Sequence, residues 1–219
     1  MIKKIISFSL WGNNPKYTIG AIRNAELSKK VYPDWICRFY IGRSTPKDII
    51  NKLESFDNTE VIIMDVDGDW TGMFWRFYVA SDDDVDVSII RDCDSRVNFR
   101  ERDAVNEWLE SNKGFHIMRD HPYHLTEILG GMWGSKKGVI TNIKKEIDDY
   151  VKGNFYQVDQ NFLREKIYPL VKDNSLVHDE YHSYDTDKKP FPSIRKNKEF
   201  VGDVFDENDV RHPEHYKSL

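Results

Sequence analysis

The sequence predicts one α/β domain with a mostly parallel central sheet flanked by helices. Three observations carry that expectation. Short apolar runs alternate with helical periodicities through the first half, Gly and Pro punctuate the joints, and no repeat or linker-like segment divides the 219 residues. Parallel strands need crossover connections, which the intervening helices supply.

Ile2–Leu10 is a short apolar run closed by Trp11-Gly12-Asn13-Asn14-Pro15, the pattern of a buried strand and its turn. Tyr17, Ala21, Ile22, Ala25 and Leu27 recur at near-helical spacing up to Val31, ahead of Pro33. Trp35–Ile41 is aromatic and β-branched and ends at Gly42, after which Ser44-Thr45-Pro46-Lys47 opens a helix running to about Phe56. Glu60–Val66 predicts a third strand and Met73–Ala80 a helical segment. Beyond the acidic tract Ser81–Asp86, Val87–Ile90 is a fourth strand that empties into Arg91-Asp92-Cys93-Asp94-Ser95-Arg96. The second half predicts a helix over Glu101–Leu109, a short strand over Phe115–Met118, a glycine-rich turn over Ile128–Gly134, and helices over Ile140–Val151 and Asp159–Tyr168. After Lys172 the chain turns polar, and only Glu199–Phe205 suggests a further strand. That tail is expected to wrap the same domain, residues 1–219.

Composition narrows the class. With 39% hydrophobic and 13% aromatic residues the chain can bury a substantial core in spite of a mean hydropathy of −0.65. A net charge of −5 argues against general nucleic-acid binding, which draws its affinity from clustered Lys and Arg. No stretch approaches the roughly 20 apolar residues of a membrane span, so no stable membrane insertion is expected. The opening run Met1–Trp11 is interrupted by two Ser and lacks a small-residue cleavage site, which favours a strand over a signal peptide. With only Cys37 and Cys93 present, a reducing cytoplasmic location is the expectation.

The strongest chemical signal follows the fourth strand. Residues at i and i+2 of an extended segment project to one side, so Asp92 and Asp94 can aim two carboxylates at one point. Such a pair repels itself unless a cation sits between, and hard carboxylate oxygens suit Mg²⁺ or Mn²⁺, ions that share coordination with substrate phosphates. A solvated acidic turn is the plain alternative. A rival signal is Asp65-Val66-Asp67-Gly68 after the apolar Val61–Met64, with Gly202-Asp203 to Asn208-Asp209 as a late acidic echo. This resembles the first motif of haloacid-dehalogenase-type phosphatases, in which one Asp is the nucleophile. Asp69-Trp70 departs from that pattern, and two strand-helix units precede the motif. A carbohydrate-binding module using its aromatics is a non-enzymatic alternative.

Taken in order, Met73-Phe74-Trp75-Arg76-Phe77, Ile89-Ile90-Arg91-Asp92-Cys93-Asp94-Ser95-Arg96, Gly130-Gly131-Met132-Trp133-Gly134 and Asp159-Gln160 resemble the small viral and bacterial GT-A glycosyltransferases over most of the chain. The resemblance implies metal-dependent transfer of a sugar from a UDP- or GDP-sugar to a hydroxyl of a glycan or other acceptor. About residues 1–96 would bind the nucleotide sugar, and about 97–219 would form the acceptor half and tail. It further implies that Asp92 and Asp94 hold Mn²⁺ or Mg²⁺, with Asp92 also touching sugar hydroxyls. Arg76 would reach donor sugar or diphosphate, and Ser9, Trp11 and Tyr17 would lie in the nucleotide subsite. Arg96 would steady the carboxylates or touch phosphate.

Asp159 would be the general base of an inverting reaction, or with Gln160 would position the sugar in a retaining one. As a plain alternative Asp159 caps its helix. His178 would complete the metal shell, and His121-Pro122-Tyr123-His124 reads as an ordered loop near the acceptor. Trp133 could be a sugar platform or core.

Overall fold

The computed structural model describes residues 2–150 and 153–219. Its centre is a seven-stranded sheet made of β1 (Lys4–Leu10), β2 (Ile36–Ile41), β3 (Thr59–Ile63), β4 (Val87–Ile90), β5 (Phe115–Arg119), β6 (Trp133–Lys136) and β7 (Ser175–Asp179). The spatial order is β3-β2-β1-β4-β6-β5-β7. Every pairing is parallel except those of β6, which runs antiparallel to both β4 and β5.

Both faces of the sheet are covered, which explains why β1 reads as a nearly continuous apolar run. Ile6, Phe8 and Leu10 face α1 (Pro15–Val31), α2 (Lys47–Glu54) and α3 (Phe99–Glu110), in a core with Ala21, Leu53 and Trp108. On the other face Ile5 and Ile90 join Phe74, Phe77 and Trp133, together with Ile143 and Ile147 of α4 (Ile143–Asp149) and Val158 and Phe162 of α5 (Val158–Phe162).

Several expectations shift on contact with the structure. The segment predicted over Met73–Ala80 is a 3₁₀ helix over Trp70–Ser81, started by Asp69, whose side chain accepts the Thr71 N–H. The helix predicted over Asp159–Tyr168 is broken up: α5 gives way to a π turn at Leu163–Ile167 and then α6 (Tyr168–Val171). Pro169 has no N–H with which to continue a regular ladder. The predicted helix ending at Val151 is observed as α4, and Val151 itself lies outside the described residues. Glu199–Phe205 is no strand; it makes two isolated bridges, Val204 with Ser95 and Phe205 with Arg211.

The polar stretch after Lys172 nevertheless yields β7, which extends the sheet beside β5, and the short α7 (Pro213–Lys217). Among the described residues no helix is long and apolar enough to cross a membrane.

Trp133 is core, not a sugar platform. It is fully buried, stacked on Phe115 at 5.3 Å and edge-on to Phe77 at 5.3 Å. Removing it would leave a cavity where β6 joins the sheet. Trp133→Ala is expected to cost about 3–5 kcal/mol of unfolding free energy by urea titration, and an unchanged midpoint would contradict this assignment.

Candidate active site

The loop after β4 is shaped by which way each side chain turns. Arg91 points inward: its Nε donates to Glu101 Oε1 at 3.0 Å and its Nη1 to Ile90 O at 2.7 Å, fixing the loop to α3. Cys93 also points inward, its Sγ donating to Ser9 O at 3.3 Å, and burial pushes its thiol well up. Asp92 and Asp94 therefore face the other way, toward a cavity of about 970 Å³ at the carboxyl ends of β1 and β4.

Helix α1 comes close enough to pin this loop because Gly20 has no side chain; a Cβ there would lie 2.0 Å from Cys93 O. Asn24 then donates to Ser95 O at 2.8 Å and accepts from the Val97 N–H at 3.0 Å.

Arg76 brings the two halves of the chain together. Two β1 serines hold its backbone, Ser9 Oγ accepting the Arg76 N–H at 2.9 Å and Ser7 Oγ donating to Arg76 O at 2.7 Å. Its guanidinium, 7% exposed, bridges two carboxylates: Nη1 pairs with Asp92 Oδ1 and Nη2 with Asp159 Oδ2 at 2.8 Å. Asp159 does not cap its helix: the N-cap of α5 is Gln157, and Asp159 sits in the first turn, its Oδ1 accepting from the Gln160 N–H at 2.9 Å. Asp94 pairs instead with Lys16, Nζ to Oδ2 at 2.7 Å.

Three carboxylates, Asp92, Asp94 and Asp159, thus share two cations. Burial raises the pKa of Asp94, and the Asp92 charge raises it further against the opposing pull of Lys16. Burial likewise raises Asp159, with Arg76 opposing. A divalent cation fits this donor set. The carboxylates are hard, the three of them are paired with only two cations, and one or two carboxylates plus phosphate oxygens are what Mg²⁺ or Mn²⁺ needs. Among the described residues no group of three His, Cys, Asp or Glu is placed to hold a metal alone.

The antiparallel β6 delivers the opposite wall. Ile90 pairs with Trp133, which sets Gly131 against Asp92. A Cβ at Gly131 would lie 2.0 Å from Asp92 Oδ2, and one at Gly130 would lie 2.6 Å from Asp159 Oδ2. The doubled glycine permits this close approach of the acidic group to the backbone.

Of the residues expected at the site, Ser9, Trp11, Tyr17, Arg76, Asp92, Asp94, Asp159 and Gln160 all line this one cavity. Trp11 stands edge-on to Trp75 at 6.0 Å, packed against Gly68 and Gly72. His121 and His124 line it as well, from the loop after β5. His121 Nδ1 accepts the Tyr123 N–H at 3.0 Å, which makes Nε2 the donor to His215 O at 2.8 Å. Lys16, through its pair with Asp94, and the exposed rim aromatics Trp70 and Tyr156 escaped sequence reasoning as site residues.

Two expected residues are elsewhere. His178 lies on β7, fully buried, with Nδ1 against His116 Nε2 at 2.8 Å and Nε2 against Glu107 Oε2 at 3.1 Å. Both ring nitrogens are engaged, which keeps His178 from the acidic loop. Arg96 turns away from the cavity: it donates to Ser95 O at 2.9 Å and Asp206 O at 3.2 Å and pairs with Asp209 at 3.0 Å. It binds the chain's own C-terminal segment, where Phe205 N–H donates to Asp94 O at 2.8 Å. The phosphatase residues fail the same test. The Asp65 side chain is 99% exposed and paired with Arg43, Asp67 is exposed, and neither lines the cavity.

No protein-family model and no curated protein sequence matches the chain. Solved structures do. A glycosyltransferase involved in the glycosylation of the major capsid of PBCV-1 superposes with a TM-score of 0.53 at 14% identity, covering 82% of each chain. The 4-diphosphocytidyl-2C-methyl-D-erythritol synthase of Anaerococcus prevotii gives 0.52 at 14% identity, over 82% of this chain and 88% of that one. A mannosyltransferase from Pyrobaculum calidifontis, in complex with GDP-Man and Mn²⁺, gives 0.51 at 8% identity, over 85% of this chain and 55% of that one.

The C-terminal segment carries its own titrating group. Asp203 is buried and pairs with Arg211 through Oδ2, and burial raises its pKa from 3.8 to about 6. The folded state thus holds this proton more tightly than the unfolded chain, and the resulting stabilisation is complete at low pH and lost as pH rises through about 6. The unfolding free energy of wild type relative to Asp203→Asn is expected to fall between about pH 4 and about pH 7; a flat difference would contradict it. Sheet order, strand directions and neighbours together establish that the chain has the GT-A, nucleotide-diphospho-sugar transferase fold.

Proposed function

We propose that the chain is a metal-dependent glycosyltransferase that moves one sugar from a UDP- or GDP-sugar to a hydroxyl of a glycan or other acceptor. The observation that carries this reading is the convergence of Asp92, Asp94 and Asp159 on one cavity, where three carboxylates are paired with two cations, Arg76 and Lys16. Mn²⁺ or Mg²⁺ held by Asp92 and Asp94 would supply the missing charge and act as a Lewis acid on the diphosphate. The mannosyltransferase neighbour, solved with GDP-Man and Mn²⁺, supports this choice of partner.

The protein's own groups divide the remaining work. Arg76 cannot leave its two carboxylates, so it offers fixed positive charge beside the departing diphosphate. Asp159, its proton affinity raised by burial, takes the acceptor proton if the reaction inverts, or with Gln160 positions the sugar if it retains. Trp11 and Tyr17 bound the base side. Trp70 and Tyr156, in edge contact at 5.5 Å, and the exposed Tyr123 give apolar faces suited to the C–H faces of a sugar acceptor. On this reading residues 1–96 carry most of the donor side and 97–219 most of the acceptor side and the tail, with Trp70 and Asp159-Gln160 crossing that division. Cys37 and Cys93 are free and buried, compatible with the reducing cytoplasm proposed as its location.

The synthase neighbour means that the fold alone does not choose between sugar and nucleotidyl transfer, so the test must. Thermal shift with UDP, GDP and their sugars is expected to show Mn²⁺-dependent stabilisation that Asp94→Asn reduces by at least about tenfold in affinity. Stabilisation by free sugars without nucleotide or metal would mark a carbohydrate-binding module and contradict the proposal. Release of pyrophosphate from a nucleoside triphosphate would mark nucleotidyl transfer and contradict it too.

A further inference from the structure

We infer that Lys16 couples metal binding to donor binding: its ammonium group holds Asp94 while no cation is present and passes to the donor diphosphate once a divalent ion takes that carboxylate. The inference rests on the function proposed above and adds a residue and a binding order to it.

The two cations of the site differ in what they can do. Arg76 is 7% exposed, held by Asp92 and Asp159 at once, and its backbone is fixed by two serines. Lys16 has one carboxylate partner, Asp94, and the pair sits at the water boundary, 32% and 17% exposed. Its backbone is pinned in the first turn of α1, where Asn14 accepts the Lys16 N–H at 3.1 Å, so only the flexible side chain is free to travel. The ammonium lies 5.3 Å from the centre of the Tyr17 ring, which lines the cavity, and therefore already borders the donor space.

An ammonium and a divalent ion on one carboxylate repel each other strongly in a partly buried site. Metal entry displaces Lys16 from Asp94 and leaves a positive charge without a partner at the cavity mouth. A diphosphate held by the same metal supplies that partner. Metal alone must work against the Lys16–Asp94 pair, and diphosphate alone finds Lys16 already engaged, so each ligand is bound more tightly in the presence of the other. That coupling is reciprocal by thermodynamic necessity.

The test measures Mn²⁺ affinity by the electron paramagnetic resonance of free Mn²⁺, alone and with UDP or GDP. It uses wild type, Lys16→Met, Lys16→Gln and Lys16→Arg. Loss of the competing ammonium is expected to tighten Mn²⁺ binding in the absence of nucleotide by roughly two- to fivefold in both neutral variants. Nucleotide should bind them more weakly, and the mutual enhancement should shrink to the part due to direct contact between metal and diphosphate, while Lys16→Arg keeps the wild-type pattern. A merely structural lysine would give the opposite sign, weaker Mn²⁺ binding on removal. Neutral variants that bind Mn²⁺ no more tightly, or that keep the full enhancement, would overturn the role of Lys16 and leave the proposed function standing. Wild type that binds neither Mn²⁺ nor nucleotide would overturn both.

Discussion

One buried guanidinium organises this molecule. Arg76 is joined to Asp92 from the first half of the chain and to Asp159 from the second; the guanidinium and Asp159 are buried, while Asp92 opens to the cavity. A buried charge is tolerated only when it is paired and hydrogen-bonded, so the position of Arg76 dictates where both carboxylates must stand. Asp94 adds a third negative charge nearby, paired with Lys16, so three carboxylates stand against two cations. The proposed chemistry is a consequence of that imbalance.

The fold is built to bring these groups together. β1 contributes two serines that fix the Arg76 backbone, and its parallel neighbour β4 ends where the acidic loop must begin. The antiparallel insertion of β6 between β4 and β5 then carries Gly130 and Gly131 under the carboxylates, where no larger residue fits. The C-terminal segment closes the arrangement from behind through Arg96, Phe205 and Asp209. Residues that look like ligand contacts in one dimension therefore turn out to be the supports of the ligand site.

The parallel half of the fold was legible because each strand is buried on two faces and reads as an apolar run, with Gly and Pro at its ends. The candidate site was legible at Asp92 and Asp94, which follow a recognisable strand, and at Arg76 and Asp159 through the resemblance of the motifs that hold them. What remained hidden depends on contacts distant in sequence. β7 sits in a polar stretch and becomes a strand only beside β5, and Trp133 reveals itself as core only when Phe77 and Phe115 enclose it. His178 and Arg96 carried the right chemistry for a ligand site, yet Glu107 with His116 and Asp206 with Asp209 claim them from elements that no local pattern links. Lys16 was missed for the complementary reason: its partner Asp94 lies far along the chain.

The account is tested most directly by anomalous diffraction from crystals soaked with Mn²⁺ and a nucleoside diphosphate. It requires a manganese peak contacted by Asp92 and Asp94, with the diphosphate on the same ion and Arg76 beside it. A peak elsewhere in the protein, or a nucleotide bound without metal at that loop, would contradict it.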